Sequence, residues 1–342
     1  MRYPEFLKDG GRIGFIAPAF GCTTETHRSR FESAQQRFRE LGYSCVLGPN
    51  CYEERGFGKS NTPEVCGAEI NEFFCSDRCD VIISCGGGET MCEDLPFTDF
   101  KAIADAPAKW FLGYSDNTNL VFTLTTLCDT AAVYGINACT FGQKPWHESV
   151  GDALALLRGE RLQIHNYDAW ELEDIDDEQN PCAPYNTTEP FSMYFGGTYE
   201  GEPSFHGRLL GGCLDVLQLL CGTEYDRVKE FNSRYREDGV VWFLEACELR
   251  PMQIYRALWQ MERAGWFENA RGFIFGRPMV YGAEDMGLDN KAAVERVLGS
   301  YNLPIIFDAD IGHLPPMMPI ISGAVGEVRA TEGKLSINQL LI

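Results

Sequence analysis

Positive charge is scarce in this chain. Its 29 Lys and Arg residues face 50 Asp and Glu, a formal net charge of −21. Such a surface repels phosphate backbones, so nucleic acid is not an expected partner. It repels anionic lipid surfaces in the same way. Long apolar runs are missing too. None approaches the ~18 consecutive apolar residues of a membrane span, and no membrane partner is expected. The opening residues MRYPEFLKDGGRIGF hold no apolar stretch of the export-signal kind, and the expected location is cytoplasmic. Paired cysteines are absent as well. The 14 cysteines scatter from Cys22 to Cys247 without a C-x-x-C pair. That spacing argues against a zinc site and against a dense disulfide framework. Buried free thiols acting as small apolar residues are expected instead.

What is present is an alternation of strand-like and helix-like segments. At 342 residues the chain can bury one large core or two moderate ones. GRIGFIAPAF reads as a buried strand ending in a loop. Residues 27–42 have apolar side chains at helical spacing and a terminal glycine. YSCVLGPN predicts a second strand. TPEVCGAEINEFFCSD predicts a helix with Thr62 at its N-cap and Pro63 at its first position. CDVIISCGGG, KWFLGYSD and AAVYGIN predict three further strands, with the apolar helix NTNLVFTLTTLCD before the last. This pattern implies an α/β fold with an N-terminal parallel sheet and helices on both faces. Residues 1–145 are read as that domain. Residues 146–203 are acidic and polar with little periodicity, and are read as a linker and long polar loop. Residues 204–342 alternate again, through GRLLGGCLDVLQLLCG, VVWFLEACE, RPMQIYRALWQMERAGW, ARGFIFGRP, LDNKAAVERVLGSY and LPIIFDADIGH. They close in a hairpin expected around Glu332 and Gly333, and form a second, mixed α/β domain.

In parallel sheets, ligands sit beyond the carboxyl ends of the strands. Two loops there stand out: SCGGGET and GYSDN. Ser115 follows an apolar strand and precedes a helix, the setting of a nucleophile elbow. Its G-x-S-x-G pattern is unmet because Asn117 replaces the second glycine. Unpaired N–H groups at a helix start would stabilise developing negative charge there. A purely structural reading makes Ser115 or Asp116 a helix cap. His313 is one of five histidines and ends the strand LPIIFDADIG, where a general base could stand. An ordinary loop histidine is the plainer reading. Glu245 emerges from the apolar run VVWFL, and a buried carboxylate demands a partner. Glu248 competes with it, and a surface salt bridge is the plain alternative. Gly86, Gly87 and Gly88 would let the backbone approach a substrate. N–H donors from this loop and from Asp116 would make an oxyanion hole. The triplet matches neither the dinucleotide fingerprint nor the phosphate loop.

Taken together, these stretches resemble the LD-carboxypeptidase family of serine peptidases, which also contains the microcin C immunity protein. GRIGFIAPAF is similar to the family's opening strand, and FLGYSDNTNL to its nucleophile segment. GRLLGGCLDVL is similar to its Gly-Gly segment. FLEACELRPMQIYRALWQME and DADIGHLPPMMPIISG are similar to the segments carrying its catalytic glutamate and histidine. The resemblance implies a Ser115–Glu245–His313 triad, two domains with the active site between them, and a homodimer. It implies hydrolysis of an amide bond in a small peptide or peptidyl-nucleotide through an acyl-enzyme, with no metal and no cofactor.

Departures bear on the substrate. Cys85 stands where the carboxypeptidase branch has an arginine, and Gly88 where it has a tyrosine. Ala246 and Cys213 replace an aspartate and an asparagine. The long polar insert is more like the immunity-protein branch, which stacks a tryptophan on a nucleobase, and Trp170 is the tryptophan inside it. The expected substrate is therefore either a microcin-type peptidyl- or aminoacyl-nucleotide, the branch slightly favoured, or an LD-peptide of the cell wall, with a muropeptide LD-carboxypeptidase proper as the alternative. A Cys85-dependent hydrolase and a non-catalytic binding protein complete the alternatives.

Overall fold

A computed structural model describes residues 1–175, 178–197, 202–331 and 333–342. The chain divides into two compact units, Met1–Arg161 with Glu173–Asn186, and Leu162–Leu172 with Thr187–Ile342.

The first unit holds β1 (Arg12–Ile16), α1 (Glu25–Glu40), β2 (Ser44–Leu47), α2 (Pro63–Cys75) and β3 (Val81–Ser84). It continues through α3 (Phe100–Asp105), β4 (Trp110–Gly113), α4 (Thr118–Thr126), β5 (Ala132–Tyr134) and α5 (Glu148–Leu157). This unit's strands run β5-β4-β3-β1-β2 and all are parallel. Strands β3, β4 and β5 are buried throughout, as a sheet covered on both faces requires. Helix α1 begins where Thr24 accepts the His27 N–H. It turns Phe31 and Phe38 onto the Phe15 ring, with centroids 5.3 and 5.9 Å away. Thr62 occupies the N-cap of α2 and Pro63 its first turn, but the Thr62 side chain makes no capping bond. Helix α4 is buried along its whole length although it carries four threonines. Thr123, Thr125 and Thr126 return their hydroxyls to the carbonyls of Asn119, Val121 and Phe122, so these polar groups are not orphaned.

The second unit holds β6 (Gln163–His165), β7 (Ala169–Trp170), β8 (Glu189–Pro190), β9 (Tyr194–Gly196) and β10 (Ser204–Cys213). Next come α6 (Leu214–Leu220), α7 (Val228–Arg234), β11 (Val240–Glu245), α8 (Pro251–Arg263), β12 (Ala270–Gly276), β13 (Glu284–Asp285) and β14 (Leu288–Asp289). The unit ends with α9 (Asn290–Leu298), β15 (Ile305–Ala309), β16 (Ile320–Ser322), β17 (Val325–Thr331) and β18 (Lys334–Leu340). Its sheet is mixed, in the order β6-β18-β17-β10-β11-β12-β15-β9. The central β10-β11-β12-β15 strands are parallel, and β11 is buried at every position. The segment 207–222 resolves into a strand followed by a helix. Strands β17 and β18 pair from Thr331 and Lys334 as the closing hairpin, with Gly333 at φ +73°. Glu332, expected in its turn, lies outside the described residues.

The stretch 146–203 differs from its expectation as linker and loop. It contains α5, whose apolar residues Val150, Ala153, Leu154, Leu156 and Leu157 are buried. His147 caps it by accepting the Ser149 N–H. Farther on, β7 pairs with β8 across a long excursion. The polar flanks and interior Gly151 mask the helical spacing, and two-residue strands leave no periodicity to read. The unit boundary also falls inside this stretch more than once, because residues 162–172 join the second sheet's unit while 173–186 return to the first.

Glu69 on α2 is buried, and its two carboxylate oxygens accept the N–H groups of Ala17 and Asn50, each at 3.0 Å. Burial outweighs those bonds and pushes its pKa up from 4.5 to about 7. Burial likewise raises Asp94 from 3.8 to about 7, despite Lys59 at 2.6 Å. A carboxyl whose folded pKa lies above its unfolded value stabilises the fold below the unfolded value, and that contribution is lost as pH rises through the folded value. Unfolding free energy is therefore expected to fall by roughly 1–3 kcal/mol between pH 5 and pH 8. Urea titrations at the two pH values check this, and stability that rises across the window would refute it.

Candidate active site

In the first unit the loops after β1, β3, β4 and β5 meet at the strand ends. Ser115 sits on the turn after β4 with φ +64°, a left-handed conformation that non-glycine residues rarely hold. Such strain persists only where surrounding contacts over-determine it. Here Asn117 supplies them. Its side-chain amide donates to Gly86 O at 2.8 Å, Tyr114 O at 3.1 Å and Asn137 Oδ1 at 3.3 Å. Tyr134 adds a further contact, its hydroxyl accepting the Ser115 N–H at 3.4 Å. The Asp116 carboxylate accepts the Met91 N–H at 2.9 Å and the Asn119 amide at 3.0 Å. Burial pushes the Asp116 carboxyl up from 3.8 to about 6. The glycine loop lies against the serine. A Cβ added to Gly87 would stand 3.2 Å from both Cβ and Oγ of Ser115. Ser115, Gly86, Gly87 and Asp116 are thus gathered in one place. Asn117, Asn137 and Tyr134 hold that arrangement, and sequence reasoning missed them. The signal available was the asparagine filling the elbow's glycine position. Cys85, just before the triplet, is fully buried, and burial holds its thiol well above the ordinary range. A thiol kept protonated is a poor nucleophile.

In the second unit Glu245 ends β11 at 1% exposure. Its Oε2 lies 2.9 Å from His313 Nδ1. The carboxylate rests in a backbone cradle. A Cβ on Gly312, which has φ +104°, would come within 2.7 Å of Oε2, and one on Gly276 within 3.1 Å of the Glu245 Cβ. The loop that delivers His313 is itself pinned. Arg277 donates to Asp308 O at 2.8 Å and pairs with Asp310, while the other Asp310 oxygen accepts the Tyr167 N–H at 2.7 Å. A cavity of about 360 Å³ lies beside Glu245, with Tyr281, Asn290, Lys291 and Asp308 in its wall. Lys291 and Asp308 form an ion pair at 3.0 Å.

Trp170 is 4% exposed. The Arg277 guanidinium lies 4.9 Å from its ring centroid and the Tyr281 ring 5.0 Å away. The exposed ring of this group is Tyr281. No helix among the described residues is long and apolar enough to cross a membrane.

The chain matches known proteins along nearly its full length. Residues 13–135 match the LD-carboxypeptidase N-terminal domain, and residues 206–328 the LD-carboxypeptidase C-terminal domain. A Bacillus subtilis protein named "Probable murein peptide carboxypeptidase" is 25% identical over 335 residues, covering 96% of this chain and 92% of its own. A crystal structure of an MccF-like protein from Bacillus anthracis superposes with a TM-score of 0.81 at 23% identity, covering 99% of each chain. The microcin C7 self immunity protein MccF, solved in complex with aspartyl sulfamoyl adenosine, gives 0.80 at 22% identity over 98% of each chain. Both structures share the two-domain α/β fold.

Gly312→Ala is expected to destabilise the protein by about 2–4 kcal/mol, since it combines a disfavoured φ with a clash on Glu245. It should also displace the His313 imidazole from Glu245, seen as loss of a hydrogen-bonded Nδ1 proton in the NMR spectrum. A wild-type urea midpoint with that proton retained would show the cradle to be loose.

Proposed function

The chain belongs to the LD-carboxypeptidase family, and from that premise we propose that it is a serine peptidase cleaving an amide bond in a small peptide-like substrate. The observation that carries this reading is the buried Glu245–His313 hydrogen bond. A carboxylate on Nδ1 selects the tautomer whose Nε2 can accept a proton, and it stabilises the imidazolium that follows. Ser115 is the nucleophile in this reading. Its left-handed turn at the mouth of a helix, against the glycine loop, supports the role.

In the first half-reaction His313 takes the Ser115 proton as Oγ attacks the amide carbonyl. The N–H groups of Gly87 and Asp116 hold the oxyanion. His313 then protonates the leaving amine, and an acyl-enzyme remains. Water, deprotonated by His313, releases the acid. Glu245 stays ionised throughout and orients the ring.

For the substrate we favour an aminoacyl- or peptidyl-nucleotide over a cell-wall tetrapeptide. Cys85 stands where a carboxylate-binding arginine would serve the second class. An MccF structure with aspartyl sulfamoyl adenosine supports the first. The stacking contact expected of Trp170 passes in this reading to Tyr281, the exposed ring beside it, with Trp170 as its support.

A mass-spectrometric assay tests the proposal with a peptidyl-adenylate analogue and a tetrapeptide ending in D-alanine. Ser115→Ala should lower kcat by about 10³-fold or more while leaving substrate Kd within about twofold, and Glu245→Gln should cost about 10²–10⁴-fold in kcat. Full turnover by Ser115→Ala would end the serine mechanism. Cleavage of the tetrapeptide alone would reassign the substrate and keep the triad.

A further inference from the structure

The proposed hydrolase chemistry leaves one cluster of reactive groups unused. Four cysteines gather at the strand ends of the first unit: Cys22 after β1, Cys51 after β2, Cys85 after β3 and Cys139 after β5. Cys22 and Cys139 are 117 residues apart in sequence, yet their sulfurs stand 3.5 Å apart. Backbone contacts fix both. The Cys22 N–H donates to Cys51 O at 2.7 Å, and Cys139 Sγ lies 3.6 Å from His27 O.

The two thiols are not equivalent. Cys22 lies just before the N-terminus of α1, a 16-residue helix whose positive end favours an anion. Hydrogen bonds from the Cys139 and Cys85 thiols, with His27 and Arg28 nearby, lower Cys22 from 9.0 to about 5. The same bond pushes Cys139 well above 9.0. Cys22 is thus the more readily ionised of the two thiols, with Cys139 beside it shifted the other way. Cys22 is buried, whereas Cys139 is half-buried and reaches the surface.

We propose that Cys22 and Cys139 are a redox modification site, a dithiol that a hydroperoxide converts reversibly to a disulfide. The Cys22 thiolate attacks the peroxide's outer oxygen. The O–O bond breaks, the O–H oxygen stays on Cys22 as a sulfenic acid, and the leaving alkoxide or hydroxide takes from solvent the proton that Cys22 shed on ionising and departs as alcohol or water. The Cys139 sulfur then attacks the Cys22 sulfur, its S–H proton leaving with the hydroxide as water. Two thiols are oxidised by two electrons and one peroxide is reduced. A dithiol reductant reverses the step.

The modification has a route to the glycine loop. The segment that carries Cys22 also carries Phe20, whose N–H donates to Gly87 O at 2.9 Å. Closing the sulfurs from 3.5 Å to a bond of about 2.05 Å draws on this segment and on the Gly87 carbonyl it holds. Oxidation would thus be felt beside Ser115.

The test uses the reduced full-length protein and about one equivalent of hydrogen peroxide, followed by thiol blocking and peptide mass spectrometry, so its result does not depend on any substrate. The expected product is a disulfide joining the Cys22 and Cys139 peptides, removed by dithiothreitol. In Cys139→Ser the link should vanish and a dimedone adduct should appear on Cys22. The wild-type measurement stands alone should that variant fail to fold. Oxidation confined to exposed Cys75, or a link from Cys22 to Cys85, would overturn the assignment. Amide exchange across residues 17–22 should change about tenfold on oxidation, and an unchanged rate would overturn the coupling to the glycine loop.

Discussion

A carboxylate withdrawn from water must be answered by donors, and at Glu245 that demand organises the second unit. The side chain ends a strand buried at every position and has 1% of its surface exposed. Desolvation of an ion there costs several kcal/mol unless hydrogen bonds offset it. His313 answers from one side. The Gly312 backbone lies against the carboxylate and Gly276 against the Glu245 Cβ, and neither position has room for a side chain. The loop must therefore arrive in one conformation. The buried Arg277–Asp310 pair and the Tyr167 N–H hold it there. Arg277 in turn lies over Trp170, which ties the polar insert to the same network.

The first unit solves a different problem, that of presenting a serine in a conformation serine disfavours. A left-handed turn places Ser115 at the strand end, and the backbone pays through contacts that Asn117 makes to three loops. An asparagine suits that task because one amide can donate to several carbonyls at once. A glycine there would relieve crowding but hold nothing. The same convergence of loops packs thiols from four strand ends together, which is how cysteines scattered in sequence come into contact.

Similarity near one quarter identity over almost the full length indicates a fold kept while side chains changed. Two of the cysteines read from the sequence as departures from the family pattern sit close to the candidate groups. Cys213 pairs in register with Glu245 across β10 and β11, and its buried thiol is held well above the ordinary range. Cys85 precedes the glycine loop. Both thiols are buried, at 1% and 0% exposure.

Much of this was legible in one dimension. The alternation of apolar strands and amphipathic helices announced the parallel sheet of the first unit, because burial on both faces leaves continuous apolar runs. The positions of Ser115, Glu245 and His313 at strand ends were legible for the same reason. Helix α5 and the short β7–β8 pair were not, since a ten-residue helix with an internal glycine and two-residue strands carry little period. Nor could sequence reveal Asn117 as the brace of Ser115. By itself the sequence determined most elements outside residues 146–203, their order and the residue types available at the strand ends. Tertiary structure alone decided which of those residues touch. The bond from Glu245 to His313 spans 68 positions and the contact from Cys22 to Cys139 spans 117. No local propensity acts over such distances, and only the closing of one backbone against another sets them.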